Sequence, residues 1–83
     1  MSAIVTLLSK PGCHLCDDAR DVVHSVIDGN EKFRFVEKSI LDDPELYDRY
    51  VEEIPVVLIN DRVHNIWRVD PDRLRAALSE VSP

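Results

Sequence analysis

An α/β fold, a four-stranded mixed sheet covered by helices on both faces in the order β-α-β-α-β-β-α, is what this sequence predicts on three observations. Short apolar runs alternate with longer stretches whose apolar residues recur at helical spacing. Asp43–Pro44 and Asp70–Pro71 each set a capping acid before a proline, which marks a helix start. Asn60 and Asp61 separate two short strand-like runs by a tight turn, which marks a hairpin.

The first strand, Ala3, Ile4, Val5, Thr6, Leu7 and Leu8, is an apolar run suited to a buried position. Ser9, Lys10, Pro11 and Gly12 form a turn. Leu15, Ala19, Val22, Val23, Val26 and Ile27 then lie on one side of a helix that Gly29 and Asn30 stop. Phe33 to Lys38 begins with the alternation of a half-buried strand, and a right-handed crossover makes it parallel to the first. The second helix follows Asp43, carries Leu46, Tyr47, Tyr50 and Val51 as its apolar stripe, and should end near Glu53. Val56 to Ile59 and Arg62 to Trp67 are the hairpin strands, which add an antiparallel edge. Leu74, Ala77, Leu78 and Val81, at i, i+3, i+4 and i+7, close the chain with an amphipathic helix.

Eighty-three residues are read as one domain, 1–83, with no internal repeat or low-complexity tract. Area scaling leaves roughly 5,000 Å² exposed out of about 14,000 Å² in the unfolded chain, enough for one modest core. With 45% apolar and 31% charged residues the composition is globular rather than disordered. Sixteen acidic side chains against ten basic ones give a net charge of −6 without any basic cluster, which disfavours nucleic-acid binding. No apolar run approaches the ~20 residues of a membrane span, and no basic segment leads into a hydrophobic signal core. The expectation is therefore a cytoplasmic monomer without a membrane partner.

Cys13 and Cys16, the only cysteines, lie where the first strand hands over to the first helix. One close pair, rather than several at wide spacing, points to a catalytic or metal-binding dithiol. On a first helical turn the two face each other closely enough to form a disulfide, and the outer one lies near the unpaired amides of the helix end. The helix dipole there favours a thiolate, the nucleophilic form. Cys13 is accordingly the nucleophile and Cys16 the resolving thiol. His14, between them, tunes rather than catalyses, because imidazole is mostly neutral at pH 7. Asp17, four residues after Cys13, opposes a thiolate there by a few tenths of a kcal/mol. Two other readings stay open at this point: buried reduced thiols that merely pack, and a zinc or iron–sulfur carrier. For the carrier, His14, His24 and His64 lack paired ligand spacing, and a cluster shared between two copies is the remaining route. No metal ligand set is assigned.

These residues resemble the glutaredoxin family. Lys10, Cys13 and Cys16 match its K-x-x-C-x-x-C pattern, Ile54 and Pro55 stand where the family has its cis-proline loop before the third strand, and the element order matches over nearly the full chain. Two departures are visible: His14 and Leu15 replace the usual Pro-Tyr between the cysteines, and Trp67 and Arg68 replace the Gly-Gly after the fourth strand. The resemblance implies a thioredoxin-like fold and a thiol–disulfide oxidoreductase. It implies that Lys10 contacts glutathione's carboxylate and that the backbone of Ile54, before a cis Pro55, pairs with an extended substrate. It also puts Asp70 at the family's acidic position. Trp67 could wall a substrate groove, but a single tryptophan beside a helix start is more often part of the core. No bound metal or organic cofactor is required for that cycle. Glutathione or another low-molecular-weight thiol is the expected co-substrate, and the partners are a disulfide-containing protein or small thiol and a reductant, glutathione or a reductase.

Overall fold

β1 (Ala3–Ser9) is buried along its length except at Ile4, because it has a neighbouring strand on each side. In the computed structural model, which describes residues 3–81, β2 (Phe33–Ser39) runs parallel to β1, with Ala3 opposite Phe33 and Ser9 opposite Ser39. β3 (Val56–Ile59) runs antiparallel to it, with Leu7 opposite Val57. β4 (Arg62–Ile66) pairs antiparallel with β3 and completes the order β2-β1-β3-β4. The predicted mixed sheet is the observed one.

Strand alternation divides the core in two. Val5, Leu7, Val57 and Ile59 meet Ala19, Val23 and Ile27 of α1 (His14–Ile27) and Leu74 and Leu78 of α3 (Pro71–Val81) on one face. Leu8 and Val56 point the other way and gather Cys16, Ile40, Tyr50 and Ile54. That second face is covered by α2 (Pro44–Tyr50) and a 3-10 turn (Ile40–Asp42). Each fully buried aliphatic side chain contributes about 1.5–3 kcal/mol, so the first cluster supplies most of the stability and the second shapes the ground beneath the thiols.

The local signals acted as read, with three adjustments. Asp43 and Asp70 do cap their helices, Asp43 Oδ1 accepting from the Glu45 amide at 2.9 Å and Asp70 Oδ1 from the Asp72 amide at 2.9 Å. Asn60 and Asp61 have φ of 51° and 69°, and positive φ at both central residues is the turn that matches hairpin twist. Asn60 also donates its amide to the Ile4 carbonyl and accepts from the Ile4 amide, both at 2.9 Å, which staples the hairpin to β1. The first adjustment is α2, which ends at Tyr50 rather than near Glu53: the Glu53 and Ile54 amides both turn back to the Tyr50 carbonyl, at 2.8 and 3.1 Å. Proline at 55 biases the preceding residue away from helix and favours that early stop. The second is the 3-10 turn, capped by Ser39 Oγ accepting from the Leu41 amide at 3.2 Å. The third is β4, which stops at Ile66 because Trp67 takes φ 67° and leaves the sheet. No helix among the described residues is long and apolar enough to cross a membrane.

Candidate active site

β1 delivers the chain into a turn that Gly12 completes with φ 80°, a conformation natural to glycine. Cys13 follows in extended geometry, φ −90° and ψ 111°, and its Sγ accepts from the Cys16 amide at 3.2 Å. A sulfur thus fills the role that a serine or aspartate oxygen usually plays at a helix start. That atom therefore sits at the amino end of α1, where the first backbone amides have no partner within the helix. Both cysteines carry free thiols; Cys13 is half-buried, and Cys16 is 0% exposed. Burial pushes the Cys16 thiol up to about 12, and a hydrogen bond with Cys13 adds to the rise. The Lys10 backbone amide and the Arg20 guanidinium offset part of it. The pair is therefore asymmetric: one sulfur reachable at the helix end, the other protonated beneath it.

The remaining predicted residues fall into two groups. Ile54 lies in the same buried cluster as Cys16, with Cys13 packed against that cluster, so the loop before β3 does reach the dithiol. The Ile54–Pro55 bond is cis. The Ile54 amide donates to the Tyr50 carbonyl at 3.1 Å as the chain turns out of α2. Lys10 and His14 are exposed on the turn and at the first residue of α1. Asp70 is engaged as a cap, its Oδ1 accepting from the Asp72 and Arg73 amides at 2.9 and 3.3 Å, so its carboxylate serves α3 first.

Trp67 is not a core residue, the usual place for a single tryptophan beside a helix start: it is 55% exposed. Its amide donates to the Pro55 carbonyl at 2.8 Å and its indole Nε1 to the Glu52 carbonyl at 3.1 Å, tying it to the loop that carries Ile54. A left-handed backbone under a large side chain costs about 1–2 kcal/mol, so the position keeps a glycine's conformation without a glycine.

Sequence reasoning missed one cluster beside the dithiol. Arg20 donates through Nε and Nη2 to the two oxygens of Glu37, at 2.7 and 2.6 Å, and through Nη1 to Asp17 at 2.8 Å. The buried Ser9 hydroxyl donates to Glu37 Oε2 at 2.7 Å. The Arg20 hydrogen bonds hold the Glu37 carboxyl below its ordinary value, with Ser9 assisting against the cost of burial. Arg20 is shifted upward by the same partners, Glu37 first and Asp17 second. The expected opposition of Asp17 to a Cys13 thiolate is thus partly neutralised by Arg20. The Asp17–Arg20 spacing was legible as an i,i+3 pair; Glu37, on another strand, carried no local signal. His24, exposed on α1, rests its ring 4.5 Å from the Phe35 ring of β2.

As for a metal, no group of three or more His, Cys, Asp and Glu side chains among the described residues is arranged to hold one. Two thiols make half of a tetrahedral set, and the other half is not supplied by the described residues.

Comparison with known proteins agrees with this geometry. The model of the Glutaredoxin-like domain (DUF836) matches residues 4–79. A curated glutaredoxin-like protein homologue from Dictyostelium discoideum is 27% identical over 77 residues, covering 84% of this chain and 69% of that protein. The X-ray structure of a structural-genomics target protein from X. campestris is 32% identical, covers 95% of this chain and 99% of its own, and superposes with a TM-score of 0.75. A mutant thioredoxin from Halobacterium salinarum, 13% identical, covers 99% of this chain and 76% of its own with a TM-score of 0.73, a likeness of fold alone. A glutaredoxin-like domain on this fold, with two cysteines at the entrance to α1, supports a role of thiol-redox type. On the match over residues 4–79 and the 32% identical relative, the chain belongs to the glutaredoxin-like domain family, built on the thioredoxin fold.

Proposed function

We propose that this protein is a thiol–disulfide oxidoreductase working through Cys13 and Cys16. The observation that carries the reading is the half-buried Cys13 Sγ accepting the Cys16 amide at 3.2 Å at the head of α1, with Cys16 sealed below. A thiolate at Cys13 attacks one sulfur of a substrate disulfide; that S–S bond breaks, one substrate thiolate leaves, and a mixed disulfide forms. Cys16 then loses its proton and attacks Cys13 Sγ, forming the intramolecular disulfide and releasing the second substrate thiol. Two electrons have passed from the dithiol to the substrate. A low-molecular-weight thiol such as glutathione, or a dithiol reductase, returns them.

The test is a redox titration of the wild-type protein beside Cys13→Ser and Cys16→Ser, followed by turnover with glutathione and with a thioredoxin reductase as reductants. Catalysed disulfide reduction that vanishes in Cys13→Ser is the expected result, while Cys16→Ser should accumulate a mixed disulfide. A dithiol that never oxidises across the glutathione and dithiothreitol potentials would overturn the proposal. So would stoichiometric iron or zinc, removable by chelation, on anaerobically purified protein that lacks turnover.

A further inference from the structure

Trp67 departs furthest from what its backbone position asks for. A φ of 67° suits glycine, yet the site carries the one tryptophan of the chain, 55% exposed and fixed by its bonds to the Glu52 and Pro55 carbonyls. An exposed indole held at both ends is an organised surface. It faces a groove of about 270 Å³ whose other walls include Leu15, Ala19, Val22 and Val69. Leu15, itself 43% exposed, lies between Cys13 and Cys16 in the chain, and Trp67 is bonded to the loop whose Ile54 shares a buried cluster with Cys16, so one end of the groove borders the dithiol turn.

Three features say what fits. The volume lies below the about 300–1,000 Å³ of a small-molecule pocket, and it suits one side chain rather than a whole ligand. The rim carries one acid, Asp18, and one base, Arg68, so it complements an uncharged side chain flanked by peptide groups better than an excess of either sign. No turn or loop bond among the described residues uses the Ile54 carbonyl, which leaves an acceptor for the backbone of an extended chain at the loop that Trp67 grips.

We propose that Trp67 is a specificity-determining residue, which receives the apolar side chain next to the reactive cysteine of an extended polypeptide. The substrate class is then a peptide or protein disulfide with an aliphatic or aromatic neighbour. Glutathione disulfide, with its carboxylates and no apolar side chain, leaves the groove floor wet. This inference rests on the oxidoreductase reading above.

The experiment uses pre-reduced protein and two disulfide-linked peptides that differ only in the residue after the cysteine, Leu or Asp, with glutathione disulfide as a third substrate. The free energy of burying a leucine corresponds to at least tenfold. The wild-type second-order rate constant should therefore favour the Leu peptide by tenfold or more over each of the others. Trp67→Gly, which keeps the left-handed backbone without strain, should lower the Leu-to-Asp ratio at least threefold, while Trp67→Phe, which keeps a ring in the wall, should lower it less. A wild-type ratio under tenfold, or a smaller change in Trp67→Gly, overturns the inference. A second readout is independent of redox chemistry: fluorescence of Trp67 in the wild-type protein, titrated with the same peptides carrying serine for cysteine. Tighter binding of the Leu peptide by tenfold or more supports the inference and lesser discrimination overturns it. Absence of turnover with tenfold discrimination in that titration sinks the oxidoreductase reading and leaves the groove's preference standing.

Discussion

Cys13 and Cys16 differ by one helical turn in position and by much more in reactivity. Cys16 is fully buried and its thiol is pushed up to about 12, by burial first and Cys13 second. Alkylation of the reduced protein at pH 7.5 should therefore modify Cys13 at least ~100-fold faster than Cys16, the thiolate being the reacting form; peptide mapping after timed iodoacetamide quenching reads both sites. Comparable rates would show that the second sulfur is neither shielded nor held protonated. The same residue makes stability depend on alkaline pH. Above the ordinary thiol value of 9.0 the unfolded chain releases a proton that the folded chain keeps until about 12. Stability is thus intact below the first value and falls as pH rises toward the second, by at most about 1.4 kcal/mol per pH unit. Denaturant midpoints of reduced wild type between pH 8 and 10.5 should fall more steeply than those of Cys16→Ala, and parallel curves would contradict the assignment.

Between elements, the Ser9–Glu37–Arg20–Asp17 network joins β1, β2 and α1 at the level of the dithiol turn. Its carboxylate is held below the ordinary value chiefly by Arg20, so its stabilisation is present above about pH 4.5 and is lost as pH falls through the depressed value. Glu37→Gln should cost about 0.5–1.5 kcal/mol at pH 7, partial exposure and solvent screening keeping the figure small. The variant should also lose less stability than wild type on acidification below 4.5, measured by urea midpoints across that range. His64 sets a separate limb at higher pH. Its Nε2 is buried without a partner, and burial first and Arg73 second lower its affinity for a proton. Protonation of the unfolded chain then draws stability down as pH falls below 6.5. His64→Gln should flatten that part of the profile.

For the molecule as a whole, two clusters on opposite faces of one sheet divide the labour between stability and site. Leu78, 2% exposed, docks α3 on the face away from Ile40, Tyr50 and Ile54. Leu78→Ala should cost about 2–4 kcal/mol, a large fraction of the about 5–15 kcal/mol typical of a domain. It should leave the ratio of Cys13 to Cys16 alkylation rates within about twofold, whereas Ile40→Ala, beneath the thiols, should alter that ratio as well as the midpoint. The folded surface of 5636 Å² and the radius of gyration of 12.1 Å lie near the values that chain length alone suggests. The substitutions are therefore judged against a core of ordinary size, with little spare stability to absorb a cavity.

Local chemistry was enough to read most of this protein from its residues. Apolar spacing, the two Asp–Pro starts, the Asn60–Asp61 turn and the cysteine pair depend on neighbours within four residues, so element order and the dithiol were legible without coordinates. Side-chain meetings across strands were not. Glu37 finds Arg20 and Ser9 over separations of 17 and 28 residues; the Ile54 amide is spent on Tyr50 because α2 stops early; and Trp67 leaves the strand for a left-handed backbone tied to Glu52 and Pro55. Propensity and periodicity describe a chain's preferences one turn at a time, whereas these contacts exist only after β1 has its partners on both sides, and so the dithiol belongs to the sequence and its surroundings to the tertiary fold.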